Sequence, residues 1–406
     1  MNTKMCRPIP AVEQFGLRFM TAMKSETSSP ASSAIDLKSP FSHVYRVLTE
    51  AIAEHAFPGC AFGVYAGGTT VLQDALGHFT YASDAPLVTA ETVYDIASIT
   101  KVVATTAVAM LLYQRGQLDL NTPLGELLPG FVVGRSRGEL AHQVELRHLL
   151  AHNSGLPGYV ELFRTAGTPT ALFRDCLQLP LEAAPGTRAE YSDMGFILLG
   201  KALEVLTREY LARWVRMEVF EPLGLTATGY CPTEVLRPLI PPTEVDSTLR
   251  HRVIQGEGQD EHAWLLQGAG GHAGLFSNVP DLLRLAAEIL GAAGPLADSK
   301  VPRLFKPGTI ATFATRQGPE GSSRALGWDT PSPESSAGRY FSPHSIGHLG
   351  FSGCSLWIDL DASVAAVLLT NRTWPDRQSQ LIRTVRPAFH DAVREGLISY
   401  NKLVIN

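Results

Sequence analysis

The spacing of apolar residues changes along this chain, and those changes divide it into segments. From Ser42 onward, Val44, Val47, Leu48, Ala51 and Ile52 recur at helical intervals. Cys60 to Tyr65 and Thr69 to Leu76 then read as strands. Gly67-Gly68 between them is a tight-turn signal, so the pair predicts a hairpin. The apolar run over 99–114 predicts a long helix. Residues 120–300 break into helical pieces joined by Gly/Pro loops, including 146–152, 193–206 and 208–220. Another helix is expected from Val279, capped by Asn278 with Asp281 at its third position. Near the end, Ser355 to Leu360 and Val364 to Thr370 flank Asp361-Ala362-Ser363 and predict a second hairpin. A final amphipathic helix is expected over 377–395, strained around Pro387.

Strands at both ends and helices between them imply an α/β (α+β) fold. One antiparallel sheet is assembled from both chain ends and flanked by the terminal helices, with a mostly helical lobe beside it. The expected boundaries are a flexible Ser/Pro-rich leader over 1–40, a domain over 41–395 and a tail over 396–406. Within the domain, the sheet lobe takes about 41–97 and 300–395 and the helical lobe about 98–299. A cleft between two such lobes is where a site is expected.

Composition narrows the function. Apolar residues make up 45% and charged residues 18% of 406, enough for a large core. With 34 basic against 39 acidic residues the net charge is −5, so no nucleic-acid partner is expected. No run approaches the roughly 18–20 consecutive apolar residues of a membrane span. Cys6, Cys60, Cys176, Cys231 and Cys354 are odd in number and form no C-x-x-C, which disfavours disulfides and a cysteine zinc site. The N-terminal run Phe15 to Met23 is broken by Arg18 and Thr21 and makes a poor signal-peptide core. A cytoplasmic location is therefore expected.

The chemistry concentrates in a few places. In Tyr94-Asp95-Ile96-Ala97-Ser98-Ile99-Thr100-Lys101, Ser98 opens the long helix and Lys101 lies one turn on, on the same face. A serine hydroxyl needs a base beside it. A lysine serves when its amine is uncharged, a state favoured by burial and by the positive end of a helix. A second S-x-x-K, Ser399 to Lys402, lies in the tail with nothing downstream to complete a site. Tyr191-Ser192-Asp193 begins another helix, and its phenol could relay a proton between nucleophile and leaving group. Gly347-His348-Leu349-Gly350-Phe351-Ser352-Gly353 leads into the last hairpin. Its small residues would let substrate lie along the backbone.

In this order the motifs S-x-x-K, Y-S-x and [KH]-x-G resemble those of the penicillin-binding protein and class C β-lactamase superfamily of serine hydrolases, which includes family VIII esterases. The phrases HLLAHNSGLP at 148–157, YSDMGFILLG at 191–200, GGHAGLFSN at 270–278 and GHLGFSG with LWIDL and LLTNR extend the resemblance over about residues 42–390. It implies a β-lactamase/transpeptidase-like fold and a metal-independent enzyme without a cofactor. It makes Ser98 the acylated nucleophile, Lys101 its base and Tyr191 the proton relay. The backbone N–H groups of Ser98 and Phe351 would hold the oxyanion, with His348, Gly350 and Asp193 lining the substrate site. Two departures stand out: His348 replaces the usual lysine, and Asp193 replaces an amide. The first shifts the expectation from carboxylate-bearing β-lactams toward uncharged esters or amides. The second leaves Asp193 either turned away from Lys101 or orienting it.

The favoured reading is therefore an esterase-like hydrolase acting on a small ester, amide or peptide. The alternatives are a D,D-carboxypeptidase, muropeptide amidase or β-lactamase, and a non-catalytic ligand-binding member. His148 and His152 have the i, i+4 spacing of a zinc site but no Glu beside the first, so no metal is expected. Gly268 to Ala273 fits a loose dinucleotide pattern without an opening strand. His272-Ala273-Gly274 also matches H-x-G, but His348 is preferred because a strand pair follows it. His272 is then a cleft-wall or packing residue. The G-x-S-x-G elbow is absent.

Overall fold

A computed structural model of the chain describes residues 39–295 and 303–405. The expected leader, apart from its last two residues, lies outside the described residues, as do the Phe15 to Met23 run and Cys6. Helix α1 (Ser42–Ala53) buries Val44, Leu48 and Ala51, one face of a 3.6-residue repeat. Strands β1 (Gly59–Ala66) and β2 (Thr69–Gly77) form the predicted hairpin, and Gly67 and Gly68 both take positive φ in its turn. The second hairpin is β9 (Ser355–Asp359) and β10 (Val364–Thr370), preceded by β8 (Ser345–Leu349).

These five strands make one antiparallel sheet in the order β2-β1-β10-β9-β8. The centre joins the two ends of the chain, running from Cys60 opposite Thr370 to Ala66 opposite Val364. All of β10 is buried, which explains its unbroken apolar run. One face is covered by α1 and the C-terminal helix, where Phe62 packs edge-on against Tyr45 and Phe389 at 5.5 and 6.3 Å. The opposite face is covered by a helix over Val279–Ala293, whose Val279 and Leu283 lie on β1 at Gly63. That helix comes from the middle segment, so the middle supplies part of the sheet's cover as well as the helical lobe. Its cap is as predicted: the Asn278 side chain accepts from the Asp281 N–H at 3.1 Å.

Some elements differ from expectation. The last helix is Ile382–Ile405; it starts later than 377 and runs on through the stretch expected as a tail. The 208–220 helix is interrupted: Arg208 takes φ +56°, an α-helical piece covers Leu211–Val215 and a π-helical turn covers Arg216–Phe220. Two short ladders were not anticipated. One is β3 (Tyr94–Asp95), β7 (Leu275–Ser277) and β4 (Gly229–Tyr230), in the order β3-β7-β4; the other pairs β5 (Glu244–Asp246) with β6 (Arg252–Ile254). Helix α2 (Ala97–Gln114) is by length and mean hydropathy apolar enough to cross a membrane, although Lys101 and several hydroxyl residues interrupt its apolar run. It is mostly buried in the protein core.

Candidate active site

Ser98, the expected nucleophile, stands on a sharp strand-to-helix turn. Strand β3 ends at Asp95, Ala97 takes φ +46°, and α2 opens as a 3₁₀ turn over Ala97–Ile99 before a π-helical segment over Lys101–Thr106. A non-glycine residue held in the left-handed region marks a turn that its surroundings enforce. Asp95 supplies that enforcement. Its Oδ1 accepts the Ala97 N–H at 2.8 Å, its Oδ2 accepts the Gln259 N–H at 2.7 Å, and its carbonyl accepts the Ser352 hydroxyl at 2.7 Å. Burial pushes the Asp95 carboxyl up to about 6, with the two amides opposing the shift.

Lys101 is fully buried and uses three partners: Ser98 Oγ at 3.1 Å, Asp193 Oδ1 at 2.6 Å and the His272 carbonyl at 3.0 Å. An ammonium has three N–H donors, and here each has an oxygen. Burial, the largest influence, pulls the Lys101 pKa down. Asp193, first by its charge, and Tyr191 beside it outweigh burial and hold the group above its ordinary value. The expectation of an uncharged amine at rest is therefore corrected: Asp193 points at Lys101 and keeps it charged. When the proton is removed, the same 3.1 Å contact lets the Ser98 hydroxyl donate into the nitrogen lone pair.

Tyr191 and Asp193 come from the start of helix α4 (Asp193–Thr207). Ser192 is its cap, accepting from the Gly195 N–H at 3.1 Å and donating to the Pro157 carbonyl at 2.7 Å. Lys101 Nζ lies 4.7 Å from the Tyr191 ring centre and the Arg324 guanidinium 5.3 Å from it. The phenol oxygen is buried with no well-formed hydrogen bond. Burial raises its pKa and the Lys101 charge opposes the rise, so the resting phenol is neutral.

The first α4 turn is held from behind by His152. Its Nδ1 accepts the Ser192 N–H at 3.0 Å, and its ring stacks on Phe196 at 4.9 Å and lies 4.6 Å from Tyr191. Because Nδ1 accepts, the proton sits on Nε2. Burial, aided by Arg324 and Lys101, holds His152 well below the usual histidine range. His148 instead caps helix α3 (Leu146–Leu150) by accepting the Glu145 N–H at 3.0 Å. The i, i+4 spacing of these histidines serves two unrelated backbone contacts.

His348 lies on β8, buried, its ring centre 5.9 Å from that of Tyr191. Its Nδ1 is 2.8 Å from the Leu349 carbonyl and must donate there, which leaves Nε2 as an acceptor without a partner. Burial first, then Lys101 and Arg324, keep the ring neutral by holding its pKa well below 6.5. Beyond β8, a Cβ on Gly350 would fall 2.5 Å from the Ile96 carbonyl. Glycine is thus what lets this loop close on the Ser98 turn. Arg386 braces the loop from the C-terminal helix, donating to the carbonyls of Gly350 at 2.6 Å and Cys354 at 3.0 Å. The half-exposed Phe351 ring lies against Arg372 and Arg377, 4.4 and 5.5 Å away.

His272 is not a third-motif residue in space. Its side chain is buried, its Nε2 is 2.7 Å from Asp260 Oδ1, and its carbonyl holds Lys101. A three-residue strand, β7, comes between Gly274 and the next helix. The Gly268 to Ala273 loop has no β-strand directly leading into it, unlike a dinucleotide site. Ser98, Tyr191, Asp193, His348, Gly350 and Phe351 all line one cleft of about 920 Å³.

Residues 44–386 match the family model described as Beta-lactamase. The chain belongs to the beta-lactamase family. Over 312 residues, 70% of each chain, it is 31% identical to a Salmonella typhimurium protein named "Putative D-alanyl-D-alanine carboxypeptidase". Among solved structures it resembles EstCE1, described as a hydrolase with promiscuous acyltransferase activity, with a TM-score of 0.70 at 22% identity, covering 88% of this chain and 100% of that one. It also resembles a class C beta lactamase from Rhodobacter sphaeroides, with a TM-score of 0.66 at 21% identity, covering 87% and 99%.

Within this beta-lactamase-family cleft, several residues escaped the sequence reading. Asp95 sat inside the quoted motif, but only the fold shows both its oxygens spent on backbone. His152 was visible in HLLAHNSGLP without its contact to Ser192. Arg324 had no local signal. The sequence led to an expectation of no metal, from the cysteine spacing and from His148 and His152. Among the described residues, the group with metal-ligating chemistry is instead Asp260, His262 and His272. Its D-x-H start on a helix was a signal that could have been noticed.

Proposed function

We propose that this beta-lactamase-family serine hydrolase cleaves a carboxylic ester or amide through an acyl-Ser98 intermediate, with short uncharged esters as the favoured class. The 3.1 Å approach of Lys101 Nζ to Ser98 Oγ, with the Tyr191 phenol beside them in an open cleft, carries this reading. Deprotonated Lys101 takes the hydroxyl proton as Ser98 Oγ bonds to the substrate carbonyl carbon. The proton returns by way of Tyr191 to the leaving oxygen or nitrogen as its bond to that carbon breaks. A water molecule then gives a proton to the same pair, attacks the acyl carbon and frees Ser98. The N–H groups of Ser98 and Phe351 face the developing oxyanion. None of these steps draws on a metal ion. The neutral His348 removes the positive charge that would otherwise select a carboxylate, which favours uncharged substrates.

A second reading, hydrolysis of a peptide ending in a free carboxylate, is favoured by Arg324. Arg372 and Arg386 are spent on backbone carbonyls and Arg377 on Glu244, whereas Arg324, beside the Tyr191 ring, has Asp329 at 3.7 Å as its ion-pair partner among the described residues. The name of the Salmonella relative points the same way. The test is a screen of p-nitrophenyl acetate and butyrate, a D-Ala-D-Ala peptide and a chromogenic cephalosporin, with Ser98→Ala as control. A fluorophosphonate probe should label the native protein and not the variant. Labelling that survives Ser98→Ala, or turnover that survives Lys101→Ala, would overturn the assignment. A native protein that neither labels nor turns over any substrate would support the ligand-binding alternative.

A further inference from the structure

Behind the acylation site, Asp260, His262 and His272 come together from two segments. Asp260 caps helix α5 (Glu261–Leu265), accepting the Ala263 N–H at 2.8 Å; His262 is on that helix and His272 is on the loop before β7. A carboxylate oxygen and one nitrogen from each imidazole lie within 4.8 Å of one another. Both histidine side chains are completely buried. His262 makes no well-formed hydrogen bond at either nitrogen, and neither does Nδ1 of His272. Buried imidazoles left this way are costly unless something takes up their lone pairs.

We propose that Asp260, His262 and His272 bind a divalent transition-metal cation of the zinc class. Two imidazoles with one carboxylate select a borderline metal over calcium or magnesium, whose ligands are oxygens. Zinc at about 2.0–2.1 Å from nitrogen holds its ligand atoms roughly 3–4 Å apart, so the group, within 4.8 Å overall, needs only small shifts, with the Asp260–His272 contact at 2.7 Å opening slightly. The surroundings suit a ligand set. The rings of Tyr159 and Phe163, 5.4 and 5.3 Å from His262, wall the group with apolar surface. Asp260 reaches the cleft, giving an ion a way in.

The ion takes no part in acyl transfer. It acts on the segment that carries His272, whose carbonyl holds Lys101 at 3.0 Å and whose neighbour Gly271 accepts from Thr105 at 2.5 Å. An occupied site would pin that segment against α5 and brace the catalytic lysine from behind.

The test uses the full chain freed of metal by a chelator and titrated with zinc chloride by calorimetry, with Tm followed in parallel. About one zinc per chain is expected to bind and raise Tm, and cobalt(II) should show the visible bands of a low-coordinate nitrogen and oxygen site. His262→Phe keeps the aromatic packing and should weaken zinc binding at least roughly 30-fold. Its metal-free Tm and short-ester turnover should stay near those of the native chain. Asp260→Asn, which can still cap α5, gives a second variant with the same expected loss should His262→Phe not fold. His344→Ala removes an exposed histidine paired with Asp361 and should leave binding intact. Absence of saturable binding overturns the proposal. So does binding that survives both His262→Phe and Asp260→Asn, or that disappears with His344→Ala.

Discussion

Replacing Asp193 with asparagine keeps the shape of the first α4 residue and removes one charge 2.6 Å from a buried ammonium. At an effective dielectric of about 20, unit charges at that distance attract by about 6 kcal/mol. Asp193 is 16% exposed while Lys101 is not exposed at all, so solvent makes this figure a ceiling. A protonation equilibrium changes tenfold for every ~1.4 kcal/mol, so even half of it is worth about two powers of ten in the neutral fraction of Lys101. With the carboxylate gone, the largest influence opposing burial is lost and the amine shifts toward the neutral base. The assay is kcat/KM for p-nitrophenyl acetate against pH. The native enzyme should still be gaining activity on the alkaline side, because its base is mostly protonated. Asp193→Asn should reach its plateau at lower pH and gain at least ~10-fold near neutrality. Superimposable profiles would refute the reasoning. So would an equal loss at every pH with unchanged Tm, which would make the charged pair itself the working state.

Acid should destabilise the fold through its buried histidines. His152 and His348 are held well below 6.5, and burial pushes His390 down to about 3. Each is neutral when folded and binds a proton near 6.5 when unfolded. Their stability is therefore complete above that pH and lost as pH falls toward the folded value, up to about 5 kcal/mol for His390 alone. Asp95, raised to about 6, has the opposite sign: its contribution is full at low pH and lost as pH rises through 6. The histidines outnumber it, so Tm should drop between pH 7 and 5, and an unchanged Tm would count against their burial. Gly350→Ala forces a Cβ to 2.5 Å from the Ile96 carbonyl and should cut kcat by about 100-fold through displacement of the nucleophile turn; full activity would mean the loop yields freely. Arg324→Met should raise KM about 10-fold for peptides ending in a carboxylate and leave neutral esters unchanged, a split visible in paired kinetics.

How far the sequence could be read followed the range of the interactions. The hairpins of β1–β2 and β9–β10 were legible because their turns and apolar runs are local, and Asn278 announced its helix with a cap three residues from its partner. The short strands β3, β4 and β7 were not. Two or three residues carry no period, and they pair only because Asp95, Tyr230 and Phe276 are brought together from distant parts of the chain. At the site, the residue types in S-x-x-K and Y-S-D were legible, but the charge state of Lys101 was not. It depends on a carboxylate 92 positions away and on a carbonyl contributed by His272. The last helix was expected from 377 and begins at Ile382, with Pro387 inside it in both cases.

The pairing of β1 with β10 also bears on how the protein is made. Cys60 meets Thr370 across 310 positions, so the central strand pair cannot close until nearly the whole chain has left the ribosome. A nascent or truncated chain would already carry Ser98, Lys101 and Tyr191, but not the β8 edge or the Arg386 brace that complete their cleft. A chain cut short before β8 would therefore lack two of the elements that enclose the cleft around these three residues.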